Sequence, residues 1–127
     1  MKRLLVAVTA TLLLAACATA EGEAPASPSA AASDATELIV RDMTIDPGEL
    51  SVPAGEIALA VTNEGPTPHN VRIRDENGDV LFGTSDLRRD ESETTTGTLE
   101  AGEYTMFCSL PGHESLGVVG TLTVTEP

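Results

Sequence analysis

Three side chains with metal-ligating chemistry stand out in this sequence: His69, Cys108 and His113. They include both histidines of the chain and one of its two cysteines, the other being Cys17. Each alone has an ordinary explanation. A free cysteine is most often a small buried hydrophobe. His113 follows Leu110-Pro111-Gly112 in a turn, where an exposed imidazole needs no special role. His69 opens an alternating run and faces the same side as Val71 and Ile73, where a hydrogen bond would satisfy it. As a set they mean more. Two imidazoles and a thiolate suit copper, and one Cys with two His in trigonal array is the blue-copper arrangement. A lone thiol in an oxidising compartment must also be protected or used.

Strands with a two-residue period would position these groups, since from Thr36 onward the helical period finds no long match. Ile57, Leu59 and Val61 alternate with Glu56, Ala58, Ala60 and Thr62, and Tyr104, Met106 and Cys108 share one face. Turn residues punctuate the runs at Asp46-Pro47-Gly48, Pro53-Ala54-Gly55, Glu64-Gly65-Pro66, Asn77-Gly78-Asp79 and Glu100-Ala101-Gly102. The pattern predicts strands at 37–43, 49–52, 56–63, 69–74, 79–82, 92–98, 102–108 and 118–125. Thr84 to Glu91 is polar and fits a loop or a helical turn. The expected fold is all-β, a Greek-key β-sandwich of about seven to eight strands. Residues 36–127 suffice for one small core, and no second domain or internal repeat is indicated.

Ahead of that domain the sequence changes character. Met1-Lys2-Arg3 precedes a mostly apolar run from Leu4 to Ala16, the charged and apolar regions of a signal peptide spanning 1–16. The run ends Leu14-Ala15-Ala16-Cys17, which resembles the lipobox of bacterial lipoproteins. That resemblance implies cleavage before Cys17 and a lipid anchor on its thiol. Residues 17–35 would then be the lipidated N-terminus and a tether. From 18 to 35 there is no aliphatic side chain larger than alanine, too little to offset the entropy of ordering. Fully extended, the tether would reach on the order of 60 Å.

The net charge of −13 excludes a nucleic-acid binder held by phosphate contacts. Loss of Lys2 and Arg3 leaves five arginines against 20 acidic residues, a net charge of −15. Anionic lipid would repel such a surface, so membrane attachment would depend on the acyl chains.

The residues around the three donors resemble the cupredoxin family, in particular its plastocyanin-like and nitrite-reductase-like small copper domains. The matching stretches run from Asn63 through Thr67-Pro68-His69-Asn70-Val71, and from Tyr104 through Cys108-Ser109-Leu110-Pro111-Gly112-His113. Gly117-Val118-Val119-Gly120-Thr121-Leu122-Thr123-Val124 continues the match, and Pro47 to Gly55 is similar to the family's first hairpin. A Cys and a His with four residues between them are a weak signal. Pro68-His69-Asn70, 39 residues upstream of the Cys-x4-His pair, makes the signal specific.

The resemblance implies that His69, Cys108 and His113 hold one type 1 copper ion. It also implies that Asn70 links the two ligand loops and that its backbone N–H donates to the cysteine sulfur. In most of the family a methionine five residues after the second histidine supplies a weak axial ligand. Here that position is Val118, which cannot ligate, and Met43 and Met106 read as core filler. Two outcomes follow: a working three-ligand site of raised potential, or a site that has lost copper.

The expected function is a membrane-tethered, extracytoplasmic one-electron carrier, monomeric, meeting a redox partner protein transiently. A copper-trafficking protein and a copper-free interaction module are the alternatives. Two histidines cannot also build a second copper centre, and no Ser/His/Asp set, phosphate loop or zinc spacing occurs, so no enzyme is expected.

Overall fold

A computed structural model describes residues 34–127 of the chain. The signal segment 1–16, the lipidation site Cys17 and nearly all of the 17–35 tether lie outside the described residues. In chain order the elements are β1 (Thr36–Arg41), β2 (Thr44–Asp46), β3 (Glu49–Pro53), β4 (Gly55–Asn63), β5 (Arg72–Arg74), β6 (Val80–Gly83), β7 (Ser92–Leu99), β8 (Gly102–Phe107), α1 (His113–Leu116) and β9 (Val119–Thr125).

The strands form two sheets, in the orders β2-β1-β4-β7 and β3-β9-β8-β5-β6. Each sheet contains one parallel pair, β1 with β4 and β3 with β9; the other neighbours are antiparallel. Alternation explains the layering. In β4 the buried residues are Ile57, Leu59, Val61 and Asn63, with the intervening side chains partly exposed. Leu38, Val40, Leu59 and Val61 from one sheet and Ile73, Met106, Leu122 and Val124 from the other are at most 3% exposed. The two apolar faces therefore pack against each other as a β-sandwich. At one open side Phe82 of β6 covers Gly97 of β7, where any larger side chain would overlap the ring.

Nine strands are found among the described residues where the sequence pattern gave seven to eight. The difference lies at 37–43, where the chain turns at Met43, with φ 52°, and continues as β2, paired antiparallel to β1. The expected strand 69–74 is regular only over Arg72–Arg74. Before it, His69 makes an isolated two-bond bridge with Leu87, N to O at 3.0 Å and O to N at 2.7 Å. The polar segment 84–91 is a loop, one of the two expected readings, with a turn at Arg89–Asp90 and a single bridge at Leu87. It is the partner of the first donor. No described helix is long and apolar enough to cross a membrane.

Candidate metal centre

Three connections meet at one end of the sandwich: the segment from β4 to β5, the loop from β8 to β9, and the β1–β2 turn. The first carries His69 and Asn70. Asn63, fully buried, shapes it by donating from Nδ2 to the carbonyls of Thr67 and Leu87 at 2.8 and 2.9 Å and accepting from the N–H of Gly65 at 2.9 Å. The Thr67 carbonyl and the Gly65 N–H are backbone groups that the turn takes out of ladder pairing, whereas the Leu87 carbonyl also accepts from His69 N–H. The bridge to Leu87 then fixes the backbone of His69.

The second connection carries Cys108 and His113. Cys108 N–H donates to the Val118 carbonyl and Val118 N–H to the His113 carbonyl, each at 3.0 Å. The loop closes on itself through Gly112, φ 79°, and Gly117, φ 123°. At Gly117 there is a second constraint, because a Cβ there would lie 2.6 Å from the Met43 carbonyl oxygen. The β1–β2 turn therefore braces the ligand loop by close backbone approach, which glycine alone allows.

His69, Cys108 and His113 converge, with one donor atom from each lying within 4.8 Å of the others. Nδ1 of His69 and Nδ1 of His113 are 3.1 Å apart, and Sγ of Cys108 is 3.6 Å from Nδ1 of His113. Metal bonds of about 2.0–2.1 Å to nitrogen and 2.3 Å to sulfur, as tabulated for zinc, let donors on one ion stand up to roughly 4 Å apart. Both separations fit a single ion. His69 and Cys108 are buried, at 0% and 1% exposure, and His113 is half-buried.

Surrounding polar groups orient the donors. Nε2 of His69 lies 3.1 Å from Oγ1 of Thr67. With the proton on Nε2, that nitrogen donates to the hydroxyl and Nδ1 offers its lone pair to the site. Burial, and after it the neighbouring His113, hold the His69 pKa below its ordinary value, and Asp42 pulls weakly the other way. Neutral imidazole is the ligating form. Asn70 N–H points at Cys108 Sγ at 3.5 Å. Its side chain accepts from Ser109 N–H at 2.8 Å and donates to Ser109 Oγ at 2.9 Å and Asp86 Oδ1 at 2.8 Å. Asn70 is thus bonded both to Ser109, the residue after Cys108, and to Asp86. Val118 is fully buried in the same apolar cluster as Cys108.

Sequence reasoning passed over Asn63, Thr67 and Asp86. Their signal is a hydrogen-bond pattern across loops, which periodicity does not carry; the turn visible there was Glu64-Gly65-Pro66, and Asn63 and Thr67 figured only within the stretch of resemblance.

Relatives bear on this geometry. A sequence model of the cupredoxin-like domain family matches residues 4–124. A search of curated proteins gave no match. Among solved structures, an auracyanin from the photosynthetic bacterium Roseiflexus castenholzii is 23% identical with a TM-score of 0.67, covering 72% of this chain and 97% of that one. An azurin from Methylomonas sp. strain J is 24% identical with a TM-score of 0.64, covering 74% of this chain and 99% of its own. A purple cupredoxin from Nitrosopumilus maritimus is 25% identical with a TM-score of 0.54, covering 71% and 99%. The family match spans nearly the whole described region, the sandwich superposes on these folds, and His69, Cys108 and His113 form a cluster that could hold a metal ion: the chain belongs to the cupredoxin-like domain family.

Proposed function

We infer that this chain is a one-electron carrier in which His69, Cys108 and His113 hold a single type 1 copper ion. The observation that carries the reading is the convergence of these three donors, two buried and one half-buried, at one end of a rigid sandwich. Bound copper supplies the one-electron chemistry by alternating between two oxidation states. The protein contributes the rest. Asn70 N–H draws charge from the Cys108 sulfur, Thr67 holds the His69 ring, and burial keeps water from both.

Val118 puts an aliphatic side chain where a thioether would otherwise favour Cu(II), so the reading carries a raised reduction potential. His113 reaches furthest toward solvent of the three. Pro111 and Leu116, the latter 65% exposed, offer apolar surface in the same loop for brief contact with a partner. Phe107, beside Cys108, would give a second, more remote route. The acidic surface suits a basic partner, with an association rate that falls as salt rises. The Leu14-Ala15-Ala16-Cys17 sequence supports lipid anchorage on the outer side of a bacterial cytoplasmic or outer membrane.

Voltammetry of the copper-loaded protein tests the carrier role. A reversible one-electron wave, absent from Cys108→Ser, is expected; an irreversible wave, or none, would contradict it. For the anchor, full-length protein should partition with membranes and Cys17→Ser should not.

A further inference from the structure

Arg74 occupies the seam between the ligand loop and the sheet. It ends β5, where its Cα partner on β8 is Thr105. Pairing with β6 shifts register between Ile73 and Arg74, an irregularity of the sort that re-aims a side chain. The Arg74 guanidinium carbon lies 4.3 Å from the centroid of the Phe107 ring. Phe107 is the residue immediately before Cys108. Both terminal nitrogens of Arg74 also donate to the two carboxylate oxygens of Glu114, the residue immediately after His113. One side chain therefore holds the chain neighbours of two donors.

The segment it holds has little rigidity of its own. α1 is four residues long, far short of a self-sustaining helix. Its flanking glycines, Gly112 and Gly117, both have positive φ. On the inner side the loop is fastened by Asn70 to Ser109. On the outer side, the side-chain fastening among the described residues is the Arg74–Glu114 pair, with side chains 27% and 38% exposed. Partial shielding limits screening of the pair. The planar fork and the stacked ring fix direction as well as distance, which a lysine ammonium cannot do.

We propose that Arg74 is a positioning residue for the metal centre: through Glu114 and Phe107 it fixes His113 relative to Cys108. The inference rests on the copper reading above, which gives that fixed separation its purpose. A pair serving stability alone would act on the whole sandwich, whereas a positioning role acts on the loop and on metal retention.

The test uses the purified full-length chain with Arg74→Gln, Glu114→Gln and Arg74→Lys. Amide hydrogen exchange is followed in the copper-free protein, and loss of Cu(II) to excess chelator in the loaded protein. Arg74→Gln and Glu114→Gln should speed exchange at the Leu116 and Gly117 amides, which bond Gly112 and Glu114 carbonyls, and leave the β8–β9 amides unchanged. Copper loss should quicken by about 10-fold or more, the usual effect of removing a residue that orients a ligand. Arg74→Lys should recover part of the retention. Loop exchange and copper loss matching wild type in both neutral variants would overturn the proposal, as would acceleration spread evenly over all amides. If wild type takes up no copper, the copper reading fails and the role of Arg74 toward the ion fails with it; the loop amides still report whether the clasp exists.

Discussion

Nδ1 of His69 and Nδ1 of His113 face each other at 3.1 Å, their ring centroids 4.8 Å apart and their planes inclined by 58°. Two N–H groups cannot share that line, so at least one lone pair points into the space between them. Two rings that would repel each other as imidazolium cations are thereby prepared to hold a metal cation between them.

This arrangement makes the copper-free chain sensitive to acid. Burial and the charge of His113 lower the folded-state pKa of His69. As pH falls below about 6.5, the ordinary histidine value, the unfolded chain takes up the proton first. Stability present above that pH is therefore lost as pH drops toward the folded-state pKa. The denaturation midpoint of the copper-free protein should be lower at pH 5.5 than at pH 7.5, and His69→Gln should remove most of the difference. An equal pH slope in the variant would refute the assignment.

Asn70 is 1% exposed, and its amide is bonded on both sides. Asn70→Ala strands the Ser109 N–H and uncouples the 84–91 segment from the ligand loop. A loss of roughly 1–3 kcal/mol is expected for a buried group left unpaired. Denaturant titration measures it; Ser109→Ala, which keeps the backbone N–H bonded, should cost less.

Legibility from sequence followed the kind of information each feature needs. The period in Ile57-Leu59-Val61 exposes the buried face of β4 because alternation is local. The break at Met43 was hidden because methionine does not favour positive φ; the turn is imposed by packing near Gly117. His69 could be placed on an inward face, yet its partner Leu87 sits in a polar stretch with no strand signal, so the bridge was invisible. Asn70 was found through resemblance. Thr67, Asp86 and the Arg74–Glu114 clasp were not, because side-chain bonds across 2 to 40 positions leave no periodic trace.

Gly117 and Gly112 share positive φ but differ in surroundings. A Cβ at Gly117 meets the Met43 carbonyl oxygen at 2.6 Å, while one at Gly112 meets nothing within 4 Å. Gly112→Ala should cost about 1–2 kcal/mol from conformation alone. Gly117→Ala should cost more, because the β1–β2 turn must move. Thermal unfolding of the two variants checks the order, and equal losses would show that the brace contributes nothing.

With copper held as proposed, Val118 takes the position that the resemblance gives to an axial methionine. Val118→Met adds a thioether donor, and its extra volume in a fully buried site should cost about 1–3 kcal/mol. The reduction potential should fall, since sulfur ligation favours Cu(II) more than an aliphatic group does. Voltammetry on loaded wild type and variant decides; an unchanged or higher potential would mean that residue 118 does not face the ion.

The central claim is that His69, Cys108 and His113 together hold one copper ion, and a Cu(II) titration of the purified, reduced protein tests it most directly. Visible absorption and electron paramagnetic resonance should reveal an intense thiolate charge-transfer band saturating at one equivalent, with no such band in folded Cys108→Ser. A correctly folded wild-type chain that shows no thiolate band at any copper ratio would contradict the account.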